Sequence, residues 1–142
     1  MNKINILIIE DNTEDTELTK EALECETCNY CIYVVSDGEM AMQFLNREKE
    51  YNESPRPSII FLDLNLPKMS GKEVLYLIKS NKEFKNIPVV VLTTSDNEKD
   101  VYEAYSMHAN CYIRKPMDFN VFKEYMMSVK KFWLSTVRLP KE

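Results

Sequence analysis

Five short apolar runs, each closed by polar residues, constrain this chain more than any other feature. Ile4-Asn5-Ile6-Leu7-Ile8-Ile9 stops at Glu10-Asp11, Ile59-Ile60-Phe61-Leu62 at Asp63, and Val89-Val90-Val91-Leu92 at Thr93. Cys111-Tyr112-Ile113-Arg114 stops at Lys115, which Pro116 follows, and Ile32-Tyr33-Val34-Val35 stops at Ser36-Asp37. Runs this apolar suit parallel strands covered on both faces. In such a sheet the carboxyl ends of the strands form the ligand crevice. Three carboxylates, one hydroxyl and one ammonium are therefore expected at a single sheet edge.

Segments of helical period separate the runs. From Thr13 to Cys25, Leu18, Ala22 and Cys25 fall at i, i+4 and i+7, the spacing of a surface helix. After the Asp37-Gly38 turn, Ala41, Met42, Phe44 and Leu45 mark a second helix. Residues 46–57 are polar, with two prolines, and read as a surface loop. Beyond the turn at Leu66-Pro67-Lys68-Met69-Ser70-Gly71, Val74, Leu75 and Ile78 face inward from a third helix. Ser95 or Asp96 is the expected cap of a fourth, which carries Val101, Ala104, Tyr105 and His108. The last helix starts near Asp118 and is expected to bury Phe122, Tyr125, Met126 and Val129. A tail follows that is apolar at Trp133, Leu134, Val137 and Leu139.

The strand–helix alternation occurs five times. Right-handed crossovers then give an α/β, flavodoxin-like (βα)5 fold: a doubly wound parallel sheet in the order 2-1-3-4-5. That order reverses between strands 1 and 3, whose ends carry Glu10-Asp11 and Asp63. The 142 residues suit one domain, spanning 1–142, with a core at about 4–131 and a C-terminal extension at 132–142. Net charge is −5 and no basic stripe is present, which disfavours a nucleic-acid surface. No apolar run approaches the roughly 20 residues a membrane helix needs. Met1-Asn2-Lys3 leads straight into a strand with no signal-peptide pattern, so the expected location is the cytoplasm.

Cys25, Cys28 and Cys31 stand in a C-x-x-C-x-x-C run, but a thiolate metal site normally takes a fourth ligand. The one histidine, His108, is far along the chain. The expectation is three reduced cysteines, with Cys31 as a small hydrophobe opening a strand and no disulfide in a cytosolic setting.

Asp11 and Asp63 at neighbouring strand ends repel one another unless a cation lies between them. Hard oxygen donors with retained waters suit Mg²⁺. The Asn65 backbone carbonyl and Glu10, through a water, complete the expected set. A carboxylate can attack a phosphoryl group to form an acyl phosphate. The transferring oxygens then need metal, ammonium and hydroxyl or amide partners. Asp63, central among the strand ends, is the expected nucleophile; Lys115 and Thr93 are the expected donors. Lys115-Pro116 is a candidate cis peptide.

The motifs Ile9-Glu10-Asp11-Asn12, Leu62-Asp63-Leu64-Asn65-Leu66-Pro67 with Ser70-Gly71, Val91-Leu92-Thr93-Thr94-Ser95, and Tyr112-Ile113-Arg114-Lys115-Pro116 resemble the receiver domains of two-component response regulators. The resemblance runs from Ile4 to about Val129. It implies that Asp63 accepts a phosphoryl group from a sensor histidine kinase, and that Glu10, Asp11, Asp63 and the Asn65 carbonyl hold Mg²⁺. It also implies that Lys115 contacts the phosphate and that Thr93 and Tyr112 form a switch pair. Thr93 drawn toward the phosphate leaves room for Tyr112 to turn inward. Glu10 departs from the aspartate that many members carry there. The 46–57 loop, the 132–140 tail and the string Asn110-Cys111-Tyr112-Ile113 resemble stand-alone regulators that serve bacterial phytochrome kinases. That likeness implies a phosphoacceptor signalling domain rather than a turnover enzyme. It adds an expected homodimer or kinase-docking surface on the last helices and tail, with self-capping of the last helix by Trp133 and Leu139 as the competing reading.

Three other classes fit less well. Haloacid dehalogenase-like phosphatases want a second acid two residues after the nucleophile, where this chain has Asn65. A flavodoxin-like flavin binder wants a hydroxyl- and glycine-rich phosphate loop, where this chain has Glu10-Asp11-Asn12-Thr13-Glu14-Asp15. A receiver that is never phosphorylated would normally lack one site residue, and none is missing.

Overall fold

The computed structural model describes residues 3–141. Met1, Asn2 and Glu142 lie outside it, and with them part of the leader reading and the last residue of the 132–142 extension. The elements run β1 (Ile4–Ile9), α1 (Thr13–Leu23), β2 (Tyr30–Val35), α2 (Gly38–Asn46), β3 (Ile59–Leu62), α3 (Gly71–Ser80), β4 (Val89–Thr93), α4 (Glu98–Ser106), β5 (Cys111–Arg114) and α5 (Phe119–Lys131). All strand pairings are parallel and the order is β2-β1-β3-β4-β5.

Side chains alternate faces along a strand, and here that alternation sorts the core into two layers. Leu7, Ile9, Ile60, Leu62, Val89 and Val91 meet α2, α3 and α4 on one face. Ile6, Ile8, Ile59, Phe61, Val90 and Leu92 meet α1 and α5 on the other. Full burial of one such side chain contributes roughly 1.5–3 kcal/mol. The sheet is thus held from both sides, which leaves its carboxyl edge as the place where polar groups can gather.

Each helix starts on a side-chain cap, as first-turn N–H groups demand. Asn12, Asp37, Ser70, Asn97 and Asp118 accept from the first turns of α1 to α5 in that order. The α4 cap is a correction to the expected Ser95 or Asp96. Ser95 instead bonds Asp100, and the Asn97 carboxamide receives the Lys99 N–H at 2.8 Å. His108 is not on α4. The helix ends at Ser106, and His108 takes a left-handed φ of 71° that turns the chain into β5. Cys25 likewise lies past the end of α1, whose buried stripe is Thr16, Thr19 and Leu23. Tyr125 is exposed on α5 rather than buried, because the inward stripe is Phe122, Met126 and Val129.

The expectation of unpaired cysteines is also corrected. After α1 the chain turns tightly, the Cys28 N–H donating to the Cys25 carbonyl at 3.3 Å. The Cα atoms come within 5.2 Å and the two thiols are joined as a disulfide, a spacing that bridging allows. Cys31 and Cys111 are free and half-buried. Within 46–57, Lys49–Tyr51 forms a single 3-10 turn.

Beyond α5 a π-helical turn spans Phe132–Thr136. It seats Leu134, 7% exposed, in the same core layer as Met126 and Val129. Trp133 packs half-buried against that layer. Val137 and Leu139 then run past Ile4 and Pro57, bounding an open cavity of about 580 Å³ at the edge opposite the strand carboxyl ends.

Candidate functional site

Register places the site. Ile9 of β1 pairs with Leu62 of β3, and Leu62 with Val91 of β4, so Glu10-Asp11, Asp63 and Thr93 emerge side by side. Backbone bonds continue the sheet one step past the strands. The Glu10 N–H donates to Val35 at 3.0 Å, the Asp63 N–H to Ile9 at 3.0 Å, and the Lys115 N–H to Thr93 at 2.7 Å. Glu10, Asp63, Thr93 and Lys115 are all buried, while Asp11 opens to solvent.

Asp63 is held at both oxygens. Its Oδ1 accepts the Thr93 hydroxyl and the Asn65 backbone N–H, each at 2.9 Å. Its Oδ2 accepts from the Lys115 ammonium at 3.2 Å. Lys115 also donates to Glu10 and, at 2.9 Å, to Asp15 Oδ2. Burial alone would drive the proton off Lys115, but the Glu10, Asp63 and Asp15 carboxylates outweigh it and hold the ammonium above its ordinary pKa. Glu10 is pushed up to about 7, chiefly by burial and then by its closeness to Asp63, with Lys115 pulling the other way.

Carboxylate oxygens of Glu10, Asp11 and Asp63 lie within 4.8 Å of one another, the one such donor cluster among the described residues. Hard oxygens at that spacing, one of them on an exposed residue, fit a divalent cation that keeps some of its water. Asn65 is exposed and its N–H is engaged with Asp63. The Lys115–Pro116 bond is trans, so the candidate cis peptide is not there; the Lys115 N–H bond to Thr93 aims the side chain instead.

Tyr112 Oη donates to the Ser95 carbonyl at 2.8 Å, which turns the ring toward the loop after β4. The same loop is tied to α4 and α3. Ser95 Oγ donates to Asp100 at 2.5 Å, and Lys72 bridges Asp100 and Glu103 at 2.5 and 2.9 Å. Thr93 and Tyr112 are thus both engaged, one with Asp63 and one with the segment that follows Thr93.

Two features here went unread in the sequence. Asp15, in the first turn of α1, looks like an ordinary helix-start acid, and its tie to Lys115 spans 100 positions. Lys72 and Asp100 are surface charges by pattern and meet only through packing of α3 on α4.

Comparison with known proteins agrees with this geometry. The response regulator receiver domain family matches residues 6–126. The chain is 47% identical over 135 residues to the response regulator Rcp1 of Synechocystis sp., covering 95% of this chain and 92% of that one. It superposes on the phosphorylated cyanobacterial phytochrome response regulator RcpA with a TM-score of 0.95 at 44% identity, over 99% of this chain and 100% of that one. The Mn²⁺-bound form of Rcp1 superposes with a TM-score of 0.94 at 46% identity, over 97% and 99% of the two chains.

Proposed function

The chain belongs to the response regulator receiver domain family, and on that premise we propose that it is a stand-alone phosphoacceptor switch working through Asp63. The observation that carries the reading is the convergence of the Glu10 and Asp11 carboxylates, the Thr93 hydroxyl and the Lys115 ammonium on the Asp63 carboxylate. A carboxylate oxygen of Asp63 attacks phosphorus, the phosphorus–nitrogen bond of a kinase phosphohistidine breaks, and an acyl phosphate forms. Lys115 and the Thr93 hydroxyl already reach Asp63 and need only small rotations to donate to phosphoryl oxygens.

Mg²⁺ is the cation we assign, with Glu10, Asp11, Asp63 and the Asn65 carbonyl as the residues that would hold it. When bound it supplies positive charge against the phosphoryl oxygens. The donor is a sensor histidine kinase. The likeness to Rcp1 and RcpA supports a kinase of the phytochrome class. No described helix is long and apolar enough to cross a membrane, in keeping with a cytoplasmic role.

Phosphorylation adds about −1.5 to −2 charges and strong acceptors. Thr93 transfers its bond from Asp63 to the phosphoryl group, and the loop at Ser95 with Tyr112 repacks against α4 and β5. A surface on α4, α5 and the tail then reads out the state, as a homodimer or as a docking face for the kinase.

Intact mass after incubation with Mg²⁺ and acetyl phosphate tests the reading. Wild type gains a phosphate-sized, hydroxylamine-labile mass and Asp63→Asn does not. A folded, cation-binding wild type that gains nothing from acetyl phosphate or from a phosphorylated kinase overturns it.

A further inference from the structure

The C-terminal tail bounds a cavity that the Asp63 chemistry leaves unused. It opens at the opposite edge of the sheet with a volume of about 580 Å³, within the range of roughly 300–1,000 Å³ usual for small-molecule sites. Its walls are set independently. The floor lies where β1 begins and the chain enters β3. There the Asn5 N–H donates to Ser58 Oγ at 3.0 Å and the Ser58 N–H donates to the Asn5 carbonyl at 2.7 Å. The facing wall is the tail. Leu134 pins it in the core, and the Val137 N–H closes the turn on the Phe132 carbonyl at 2.9 Å. The cavity is therefore formed before anything enters it.

Its lining is of two kinds. Trp133, Val137 and Leu139 make an apolar wall along the tail. The charged lining residues are Lys3, Arg56 and Lys141, all basic, and no acid joins them among the described residues. That bias runs against the chain as a whole, which carries 23 acids and 18 bases. It continues along the tail, where Lys130 to Lys141 holds four bases and no acid. The Arg56 guanidinium is steadied by the Glu83 carbonyl and keeps further N–H groups for a carboxylate. Trp133, Val137 and Leu139 are only half-buried, so an apolar guest would cover surface that now faces water.

We propose that this cavity binds a small carboxylic acid with an apolar chain, the chain against Trp133, Val137 and Leu139 and the carboxylate met by Arg56 and Lys141. The volume suits one such molecule, and a neutral guest would leave the basic rim unanswered. Binding is non-covalent. The site is separate from Asp63 and stands whether or not Asp63 accepts phosphate.

Trp133 is the single tryptophan of the chain, so its fluorescence reports on this wall alone. The test titrates the full chain with octanoate, kept below its micelle concentration, and with octan-1-ol, which has the same chain length and no charge. Octanoate should change the Trp133 emission saturably. Octan-1-ol should bind about three- to tenfold more weakly, the worth of one or two exposed ion pairs. Arg56→Gln combined with Lys141→Gln should weaken octanoate by about the same three- to tenfold and leave octan-1-ol unchanged. The chain without 137–142 keeps Trp133 and Leu134 and should lose the saturable response. No saturable response in wild type overturns the site. Octan-1-ol binding as tightly as octanoate overturns the choice of an acid, and so does a loss in the double variant that falls equally on both probes. An undiminished response without 137–142 puts octanoate elsewhere and overturns the proposal as well.

Discussion

The Thr93 hydroxyl donates to Asp63 Oδ1 at 2.9 Å, with Thr93 fully buried and Asp63 nearly so. In the switch proposed above, a hydroxyl already in contact with the Asp63 carboxylate needs no long excursion to reach a phosphoryl oxygen. Tyr112, one strand away and bonded to the Ser95 carbonyl, is joined to it through only two residues of loop. Thr93→Ala keeps the Asn65 N–H and Lys115 on Asp63, so the variant should still gain phosphate in the acetyl phosphate assay. It should lose the phosphorylation-dependent change in amide exchange at Cys111–Arg114. Its stability should fall by about 1.5–3 kcal/mol, as for a buried hydrogen bond to a charged group. An exchange response as large as wild type removes Thr93 from the switch.

Glu10 gives the apo protein a pH dependence of definite sign. Its carboxyl moves from an ordinary 4.5 to about 7 in the fold, chiefly through burial. The folded state therefore holds a proton that the unfolded state has already released, and the resulting stability is full below about 4.5 and is lost as pH rises through about 7. A cation needs the ionised form, so Mg²⁺ affinity should climb over the same window. Melting curves in chelator and Mg²⁺ titrations from pH 5 to 8 should show the opposing trends. Glu10→Gln should flatten both. Slopes equal to wild type would assign the titration to another group.

The topology was legible because its signals are local. Apolar runs place β1, β3 and β5 on the residues where they stand, with β2 starting two residues earlier, at Tyr30, and β4 ending one later, at Thr93. Strand ends then bring Glu10, Asp11, Asp63, Thr93 and Lys115 to one edge by register alone. What escaped depends on choices between near-equivalent neighbours or on distant packing. Ser95, Asp96 and Asn97 are all good caps, and the bonds of Ser95 to Asp100 and of Asp96 to Arg114 leave the cap to Asn97. The Asp15–Lys115 contact joins α1 to the end of β5 and no periodicity reports it. Cys25 and Cys28 read as an α1 residue and a loop residue until the helix is seen to stop at Leu23.

Gly71 ties the start of α3 to the site. A Cβ there would run into the Asp63 carbonyl and the Leu64 Cα, both backbone and therefore unable to swing away. Its N–H also donates to the Leu64 carbonyl at 3.0 Å. Gly71→Ala should cost about 1–3 kcal/mol from overpacking and should slow acetyl phosphate modification, since the strain falls on the segment that carries Asp63. Gly38→Ala meets Met69 and Val74 at 2.6–2.8 Å instead. It should destabilise by a similar amount while leaving the modification rate near wild type. Equal rates in both variants, measured well below their melting temperatures, would separate Gly71 from the chemistry.

The tail packs into the core and is proposed to serve association as well, and a single deletion would confuse the two. Leu134 belongs to the core, touching the layer of Ile6, Leu23, Met126 and Val129. Leu134→Ala should cost about 2–4 kcal/mol through the cavity it leaves, read as a lowered denaturant midpoint. Removing 137–142 spares Leu134 and the turn at Phe132–Thr136 while stripping Val137 and Leu139 from the opposite sheet edge. That truncation should cost less than about 1 kcal/mol, in line with surface changes. Light scattering of the phosphorylated protein then isolates the association role: the full chain should run as a dimer and the truncated chain as a monomer. The same mass for both would leave Trp133 and Leu134 as a cap on the chain's own α5 and move the docking surface onto α4 and α5 alone.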